Sequence, residues 1–570
     1  MKLGPVSPYR SRKDRPGSPE ESKPGLVSDM VRQFADPYAF LRELVQNSMD
    51  AGTTRIEVDV IRGADGDTRT RVTDSGTGMT PAIIESALLT LFSSSKEGDS
   101  TKIGKYGVGF VSVLAIEPEE VIVDTWREGG AWRATILRDH SYVVEEIPPR
   151  PLSGTSVTLT HTLESSAFDA HADSVRQSLL RWCRHARVPI WLSITDYANP
   201  QGSSRTQLDR PLAVHAAVSV TDLDGEDTIV LGPGMGAEHL ETPAWPHENT
   251  TPFIGFYNRG LTLYESSGES FPGLEGLRVK ISSSQLKHTL SRDNVRREQG
   301  FDDLLDRARS LAKRSLPKAV AAALRAEAER AVEGTHLREY LALLEASAHD
   351  PCRLSAAHVW FPLASPVAGQ RAMSMAALTA HTPRRAPILT AAEPNVITAA
   401  FASEGRPTVL CLHASMVHRV ANLHRRGSVE PAHGRHFLLE ELPSSDLSAS
   451  DLALAAETQR CIALSGIALE RITFARAQGV VPGHVVLARE PTSGIVSLEA
   501  AARAAGRWGA GAVLLLDTRA EAVQVARDRA RRQLRAASQL LARVLLLERR
   551  GPLKASLNDA LLRDYAGGGA

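Results

Sequence analysis

Cysteine is scarce in this sequence of 570 residues. Only Cys183, Cys352, Cys411 and Cys461 occur, and no two of them form a CxxC pair. That spacing excludes the usual zinc-ligand pattern and a disulfide scaffold, so we expect reduced, structural thiols. A run of about 18 apolar residues, as a membrane-spanning helix needs, is also missing. The polar N-terminus has no apolar signal core, so the sequence predicts a cytoplasmic protein with no membrane partner.

The sequence also lacks an excess of charge of either sign. Lys plus Arg number 66, and Asp plus Glu number 66 as well. This balance argues against a globally basic nucleic-acid-binding protein, although basic clusters lie at 292–297, 307–318 and 527–535. Hydrophobic residues make up 42% and charged residues 23%, which is ordinary for globular domains. At this length the chain should contain several domains.

Composition and periodicity divide the chain into five segments. A lead-in rich in Pro, Ser, Gly and charge is expected to be disordered. Helical periodicity at about 36–50 and 166–187, with alternating strands between, predicts helices on a mainly antiparallel sheet. The segments are a lead-in at 1–26, an N-terminal domain at 27–197, a middle α/β domain at 205–335, a mixed α/β part of unassigned role at 336–500, and a helical region at 501–570.

The motif ELVQNSMDAG occupies residues 43–52 of the predicted first helix. Glu43, Asn47 and Asp50 recur at helical spacing and therefore share one face. A carboxylate there can orient a water molecule, and an amide oxygen one turn away can bind Mg²⁺, which prefers hard oxygen ligands. An ordinary solvated helix face is the alternative.

Two glycine-containing motifs follow. In VTDSGTGM, residues 72–79, Asp74 at a strand end can accept a hydrogen bond from an exocyclic amine, and Met79 can pack on a flat ring. In KIGKYGVGF, residues 102–110, the glycines supply unpaired N–H groups ahead of an apolar helix, an arrangement that favours phosphate. A plain DxG turn and a flexible surface loop are the respective alternatives. Neither motif is a P-loop or a dinucleotide-binding fingerprint.

The order and spacing of the three motifs, with Gly154 and Thr155 opening a later strand, resemble the GHKL ATPases. That superfamily includes gyrase, the 90-kDa heat-shock chaperones, histidine kinases and MutL. The resemblance implies an α+β multidomain fold. It would have an N-terminal GHKL (Bergerat) α/β sandwich, a middle α/β domain and a mixed α/β C-terminal region.

The resemblance also assigns roles to residues. Glu43 is expected to be the general base, Asn47 to bind Mg²⁺ together with ATP, and Asp74 to bind the adenine amino group. Residues 91–102 are expected to form a lid. The remaining nucleotide-binding residues implied are Asp50, Gly78, Met79, Gly104, Gly107, Val108, Gly109, Phe110 and Thr155.

The segments FYNRGLTLYES and GLRVKISSSQLKHTLSRDNVRRE resemble the middle domain of the 90-kDa heat-shock chaperones. That resemblance implies that Arg292, in the run Ser291–Asp293, reaches the γ-phosphate; the alternative is an exposed arginine at a helix start. The chain departs from the chaperones at Arg296, where they carry Gln, and it lacks their acidic linker. Its NSxDAG motif is closer to the MutL arrangement.

The sequence therefore predicts a slow, Mg²⁺-dependent ATPase of the chaperone type, a homodimer that acts on protein clients. The helical pattern at 519–550 is the predicted dimer element, unless that helix packs within its own domain. The alternatives are a MutL- or gyrase-type ATPase that acts with nucleic acid through a middle-domain lysine, and a nucleotide-gated switch in another assembly. A histidine kinase is disfavoured because no phosphoacceptor helix precedes the motifs, and Glu43 argues against a non-hydrolysing sensor.

Overall fold

The computed structural model describes residues 9–10, 36–64, 66–88, 108–241, 250–268, 271–287, 295–296, 299–334, 336–384, 386–424, 427–479, 485–488, 494–505, 508–550 and 552–567. The chain divides into two compact units, residues 1–316 and 317–570, and both contain helices and sheets. The predicted lid and Arg292 lie outside the described residues. Within these ranges, no helix combines the length and the apolar character needed to cross a membrane.

A nine-stranded sheet organises the N-terminal domain. Its spatial order is β1-β6-β5-β4-β7-β3-β2-β8-β9, and every neighbouring pair is antiparallel except β2 and β8. The mainly antiparallel sheet expected here is thus confirmed. The strands are β1 Tyr9–Arg10, β2 Ile56–Arg62, β3 Asp67–Asp74, β4 Glu120–Arg127, β5 Gly130–Leu137, β6 Tyr142–Glu146, β7 Gly154–Thr162, β8 Ile190–Asp196 and β9 Ser204–Gln207. Strand β1 places two residues of the predicted lead-in on the sheet.

Alternation in the sequence explains which face of this sheet is buried. Ile56, Val58 and Val60 of β2 are fully buried, whereas the charged residues between them are not. Two helices, α1 Phe40–Asp50 and α2 Phe168–Cys183, pack against each other and add their apolar faces to the same core. Burial of each such aliphatic side chain contributes about 1.5–3 kcal/mol. Short helical turns complete the domain at Pro37–Ala39, Pro81–Ile83, Ile84–Leu88, Val108–Val111 and Ser112–Ile116.

The middle domain is a five-stranded sheet in the order β10-β11-β14-β12-β13. Its strands are β10 Val220–Asp224, β11 Asp227–Pro233, β12 Phe253–Asn258, β13 Leu261–Ser267 and β14 Leu277–Ser282. Strands β12 and β14 run parallel, and β12 forms an antiparallel hairpin with β13. Helix α3, Gln299–Arg314, packs on β10 and β11, where Arg307 forms ion pairs with Asp222 and Asp227. Helix α4, Leu316–Ala331, follows α3 after the single residue Ser315 and has Pro317 in its first turn.

The second unit contains two further five-stranded sheets, which the sequence patterns had not resolved. Their orders are β16-β15-β18-β17-β19 and β22-β24-β21-β20-β23. The strands are β15 Trp360–Val367, β16 Gln370–Ser374, β17 Ile388–Ala391, β18 Thr408–Leu410, β19 Val429–Pro431, β20 His436–Glu441, β21 Arg471–Gly479, β22 Val485–Ala488, β23 Gly494–Ser497 and β24 Val513–Asp517. The helices are α5 Leu337–Ala346, α6 Met375–His381, α7 Val396–Ser403, α8 Ala414–Leu423, α9 Ala449–Ala463, α10 Leu498–Ala505, α11 Glu521–Ala530, α12 Leu534–Arg550 and α13 Ala555–Gly567.

The single long helix predicted at 519–550 is wrong, because the chain turns between α11 and α12. The two helices pack on each other and on α9, and Ala537 and Leu541 on the apolar face of α12 are buried there. Leu547, near the end of α12, is 45% exposed. The predicted dimer element therefore uses most of its apolar face inside its own unit. The boundary predicted at residue 500 also falls within one fold, since β24 pairs with β21 and β22.

Acidification should destabilise the N-terminal domain through His171 on α2. Its ring lies 3.0 Å from the Tyr38 hydroxyl and 2.7 Å from that of Thr70. Burial, with a smaller effect of His161, lowers the pKa of His171 to about 4. As pH falls from about 6.5 to 4, His171 is therefore protonated in the unfolded chain but stays neutral in the folded domain. Stability should fall by up to about 1.4 kcal/mol per pH unit across that window for this one group.

The measurement is the urea midpoint of the full chain at pH 7, 6 and 5, beside His171→Asn. The amide retains hydrogen-bonding capacity but has no proton to take up in this range. We expect a shallower pH dependence in the variant, and equal slopes would exclude His171 as the source.

Candidate functional site

Asp74 closes β3 with its carboxylate surrounded by donors. Atom Oδ1 accepts hydrogen bonds from the amides of Gly76 at 2.8 Å and Thr155 at 3.2 Å. Atom Oδ2 lies 3.0 Å from the Ser48 hydroxyl, which shares its single proton with the Leu44 carbonyl at 2.9 Å. A carboxylate has about four acceptor positions, so capacity remains for one more donor. This geometry suits recognition of an exocyclic amine.

The backbone around Asp74 is packed too closely for additional side-chain atoms. Gly154 has φ +148, and a Cβ there would lie 2.2 Å from the Asp74 carbonyl oxygen. A Cβ on Gly78 would lie 2.1 Å from the Trp126 carbonyl oxygen. The second motif and the start of β7 therefore lie in close contact with neighbouring strands, and this contact fixes the backbone around Asp74.

Thr125 on β4 links the second motif to the start of β7. Its hydroxyl accepts a hydrogen bond from the Met79 amide at 2.7 Å and lies 3.3 Å from the Thr155 hydroxyl. The side chain is fully buried. Sequence reasoning missed Thr125, although its register with Val121 and Val123 on β4 was a signal, since alternate residues share a face.

Glu43 lies on α1, only 9% exposed. A Cβ added to Gly109 would come within 2.6 Å of the Glu43 carboxylate, so the glycine backbone borders that acid directly. The Ser112 hydroxyl donates to the Gly109 carbonyl at 2.5 Å, and Phe110 is buried in the core. The first and third motifs thus meet at Glu43 and Gly109.

Asn47 and Asp50 occupy the open end of the same helix. Both side chains are exposed, whereas Leu44 and Val45 on the other side of the helix are buried. Asp50 pairs with Arg259 of the middle domain, 3.2 Å between Oδ1 and the guanidinium. Asn47 is exposed to solvent, where a hydrated Mg²⁺ can be bound by one protein oxygen and several waters.

Some predicted site residues lie outside the part of the chain that the structure describes. These are Gly104, Gly107, the side chain of Val108, the lid at 91–102, and Arg292. The backbone of Val108 opens the turn Val108–Val111, which ends the glycine-containing motif. The described geometry thus brings together the acid end and the phosphate-loop end of the predicted site.

The residues present fit ATP with Mg²⁺. Asp74 offers an unused acceptor position for the adenine amine, and Gly109 places main chain beside Glu43. Asn47 supplies an accessible hard oxygen one turn away from that acid. The described residues therefore supply an acceptor that can recognise the base and an oxygen that can bind a metal ion, and they place the Gly109 main chain beside Glu43.

Comparison with known proteins gives matches to part of this chain. Residues 38–168 match the family described as histidine kinase-, DNA gyrase B- and HSP90-like ATPase. The DNA mismatch repair protein MutL of Sinorhizobium fredii is 34% identical over 115 residues, 20% of this chain and 19% of that protein. The chaperone protein HtpG of Anaplasma phagocytophilum is 31% identical over 159 residues, 23% and 24% of the two chains. HtpG of Chlorobaculum tepidum is 28% identical over 191 residues, 28% and 30%.

The matches cover about a fifth to a third of each of these relatives. Both kinds of relative match at similar, low identity, so they support one superfamily without separating its branches. The matched range 38–168 contains every described site residue from Glu43 to Thr155.

Proposed function

We propose, from the match of residues 38–168 to the histidine kinase-, DNA gyrase B- and HSP90-like ATPase family, that this protein binds ATP and hydrolyses it with Mg²⁺. One observation carries the proposal: α1 and β3 present a buried Glu43 beside Gly109 and an Asp74 carboxylate with an unused acceptor position. A base, a phosphate loop and an adenine-recognising acid are thereby combined in one domain.

The residues divide the work by position. Asp74 accepts a hydrogen bond from the adenine amino group. Met79 and Thr155 line the adenine site, and the Thr125 hydroxyl contacts both of them. The main chain at Gly109 faces the phosphates. Asn47 binds Mg²⁺, which when present neutralises charge on the phosphate oxygens. Glu43 takes a proton from the attacking water, the role of a general base placed within hydrogen-bond reach.

We propose that hydrolysis is coupled to the middle domain, as in the 90-kDa heat-shock chaperones, and that the coupled work is remodelling of protein clients by a homodimer. Support comes from buried polar contacts between the two domains. Arg184 forms an ion pair with Glu265, and the Thr262 hydroxyl donates to the Arg181 carbonyl at 2.8 Å.

We place the protein in the cytoplasm because all four cysteines are free thiols.

A second candidate function is that of a MutL-type ATPase acting with DNA. Its support is the run of relatives named DNA mismatch repair protein MutL. Lys287 follows β14 with its side chain exposed, and it is the candidate for the middle-domain lysine that this function requires. Arg292 follows five residues later in the sequence. The MutL-type proposal therefore requires Lys287 for hydrolysis, whereas the chaperone-type proposal requires Arg292.

The test compares ATP turnover and nucleotide affinity of the full chain with Arg292→Ala and Lys287→Ala. A cation that contacts the transferring phosphoryl group should be worth about 10-fold or more in kcat. The chaperone-type proposal expects the loss in Arg292→Ala, and stimulation of wild-type turnover by an unfolded protein rather than by duplex DNA. Lys313→Ala, another exposed cation at the end of α3, is the control.

Loss in Lys287→Ala together with salt-sensitive stimulation by DNA would transfer the proposal to the MutL type. Wild-type protein that binds no nucleotide at all would overturn both.

A further inference from the structure

One ion pair joins the site helix α1 to the middle domain. Arg259 lies in the turn between β12 and β13, and its guanidinium is 3.2 Å from Asp50. The two side chains are 47% and 56% exposed. A pair as open as this contributes little to stability, because water and salt compete with it. Stability of the fold therefore does not explain why this ion pair lies at the proposed nucleotide site.

The turn that carries Arg259 is fixed on the N-terminal domain. Arg259 has φ +47 and Gly260 has φ +85, the pairing of a tight hairpin turn. A Cβ on Gly260 would lie 1.8 Å from the His185 carbonyl oxygen, so the turn touches the N-terminal domain through backbone. The Gly260 amide also donates to the Ser282 hydroxyl at 3.2 Å. The base of the Arg259 side chain therefore has one location relative to α1.

Buried polar groups behind the turn reinforce that location. The Lys280 ammonium lies 2.8 Å from Nε2 of His185, and Nδ1 of the same ring lies 3.1 Å from the Arg210 carbonyl. Burial, with the nearby charges of Lys280 and Arg184, lowers the pKa of His185 to about 2. A neutral ring with its proton on Nδ1 satisfies both contacts, since it donates to Arg210 and accepts from Lys280.

Arg259 also carries a backbone cost that glycine would avoid. The two-residue hairpin turn requires that positive φ at Arg259. The neighbour that it reaches is informative: Asp50 is three residues beyond Asn47 on α1, so the two side chains lie on adjacent turns about 5–6 Å apart at Cβ. The guanidinium is thereby held beside the proposed metal and phosphate position.

We propose that Arg259 is a phosphate-positioning residue of the ATPase site, and that Asp50 holds its guanidinium in place before nucleotide binds. This inference rests on the proposed function. When ATP arrives, the guanidinium leaves one carboxylate for phosphate oxygens beside Asn47. Arginine suits this exchange, since its planar fork donates to phosphate as readily as to a carboxylate and stays charged throughout.

The experiment measures kcat, KM and nucleotide affinity in the full chain for Arg259→Ala, Arg259→Lys, Asp50→Asn and the double exchange Arg259→Asp/Asp50→Arg. We expect kcat to fall about tenfold in Arg259→Ala with a smaller change in KM, and to recover in part in Arg259→Lys. Asp50→Asn should lose less than Arg259→Ala, because the guanidinium remains. Arg71→Ala is the matched control, an exposed arginine on β3 of the N-terminal domain whose guanidinium lies 2.9 Å from Asp59.

The double exchange decides between positioning and simple docking. It restores the ion pair with the charges reversed but moves the arginine to α1, so we expect hydrolysis to stay low. If the exchange restores wild-type kcat, or if Arg259→Ala matches wild type, the inference is overturned while the proposed function stands. If wild-type protein neither binds nor hydrolyses ATP, the proposed function fails, and this inference fails with it.

Discussion

Glu43→Gln should lower kcat for ATP hydrolysis by about 10²–10⁴-fold while nucleotide affinity changes by no more than a few-fold. The carboxylate is nearly buried and borders the Gly109 backbone, so it sits where a water attacking the phosphate must be oriented. Glutamine keeps the size of the side chain but cannot take a proton. The effect is therefore expected in the chemical step and not in the affinity for ATP.

Single-turnover hydrolysis and titration with a fluorescent nucleotide separate these two quantities. Glu57→Gln is a suitable control, because Glu57 is a half-buried partner of Arg205 on the other face of the sheet. Equal turnover in Glu43→Gln and wild type would remove Glu43 from the mechanism. Equal losses of affinity and turnover would mean that Glu43 supports the shape of the site instead.

Gly154→Ala should abolish measurable nucleotide binding, a loss of more than about 100-fold. The added Cβ meets the Asp74 carbonyl oxygen at 2.2 Å, a distance that real side chains do not adopt. Relief requires β7 to move away from the end of β3, and that movement withdraws the Thr155 amide from the Asp74 carboxylate. The recognition of adenine and the packing of the sheet should be lost together.

Gly129→Ala separates backbone strain from this close approach. Gly129 also has a positive φ, +93, but nothing lies within 4 Å of its added Cβ. Its substitution should cost only the backbone strain, on the order of 1–2 kcal/mol, and leave nucleotide affinity near that of wild type. Comparable losses of affinity in the two variants would show that strain, not contact with Asp74, governs the effect.

Local patterns predicted the parts of the site that depend on neighbouring residues in the sequence. Helical spacing identified α1 and its polar face, and strict alternation identified β2 and β3. The glycine motifs pointed to the places where backbone approaches other groups closely, as Gly154 and Gly109 do. Each of these signals is carried by fewer than about ten consecutive residues, so one sequence sufficed to find it.

The features that were missed depend on distant partners. Thr125 became part of the site only because β4 pairs with β7, and Arg259 only because its turn docks on the N-terminal domain. The turn between α11 and α12 carries neither Gly nor Pro, and the helices separate there because both can bury apolar residues against α9. In the second unit some paired strands are far apart in sequence, as β21 and β24 are, and periodicity does not report such pairings.

The parallel pairing of β2 with β8 has a consequence for how the protein is made. Arg62 at the end of β2 pairs with Asp196 at the end of β8, 134 residues later in the chain. Until that later strand has left the ribosome, one edge of β2 has no partner, and an apolar strand with an open edge invites association with other chains. Contacts across such a span also close slowly. During synthesis, the growing polypeptide is therefore prone to associate with other chains until β8 pairs with β2.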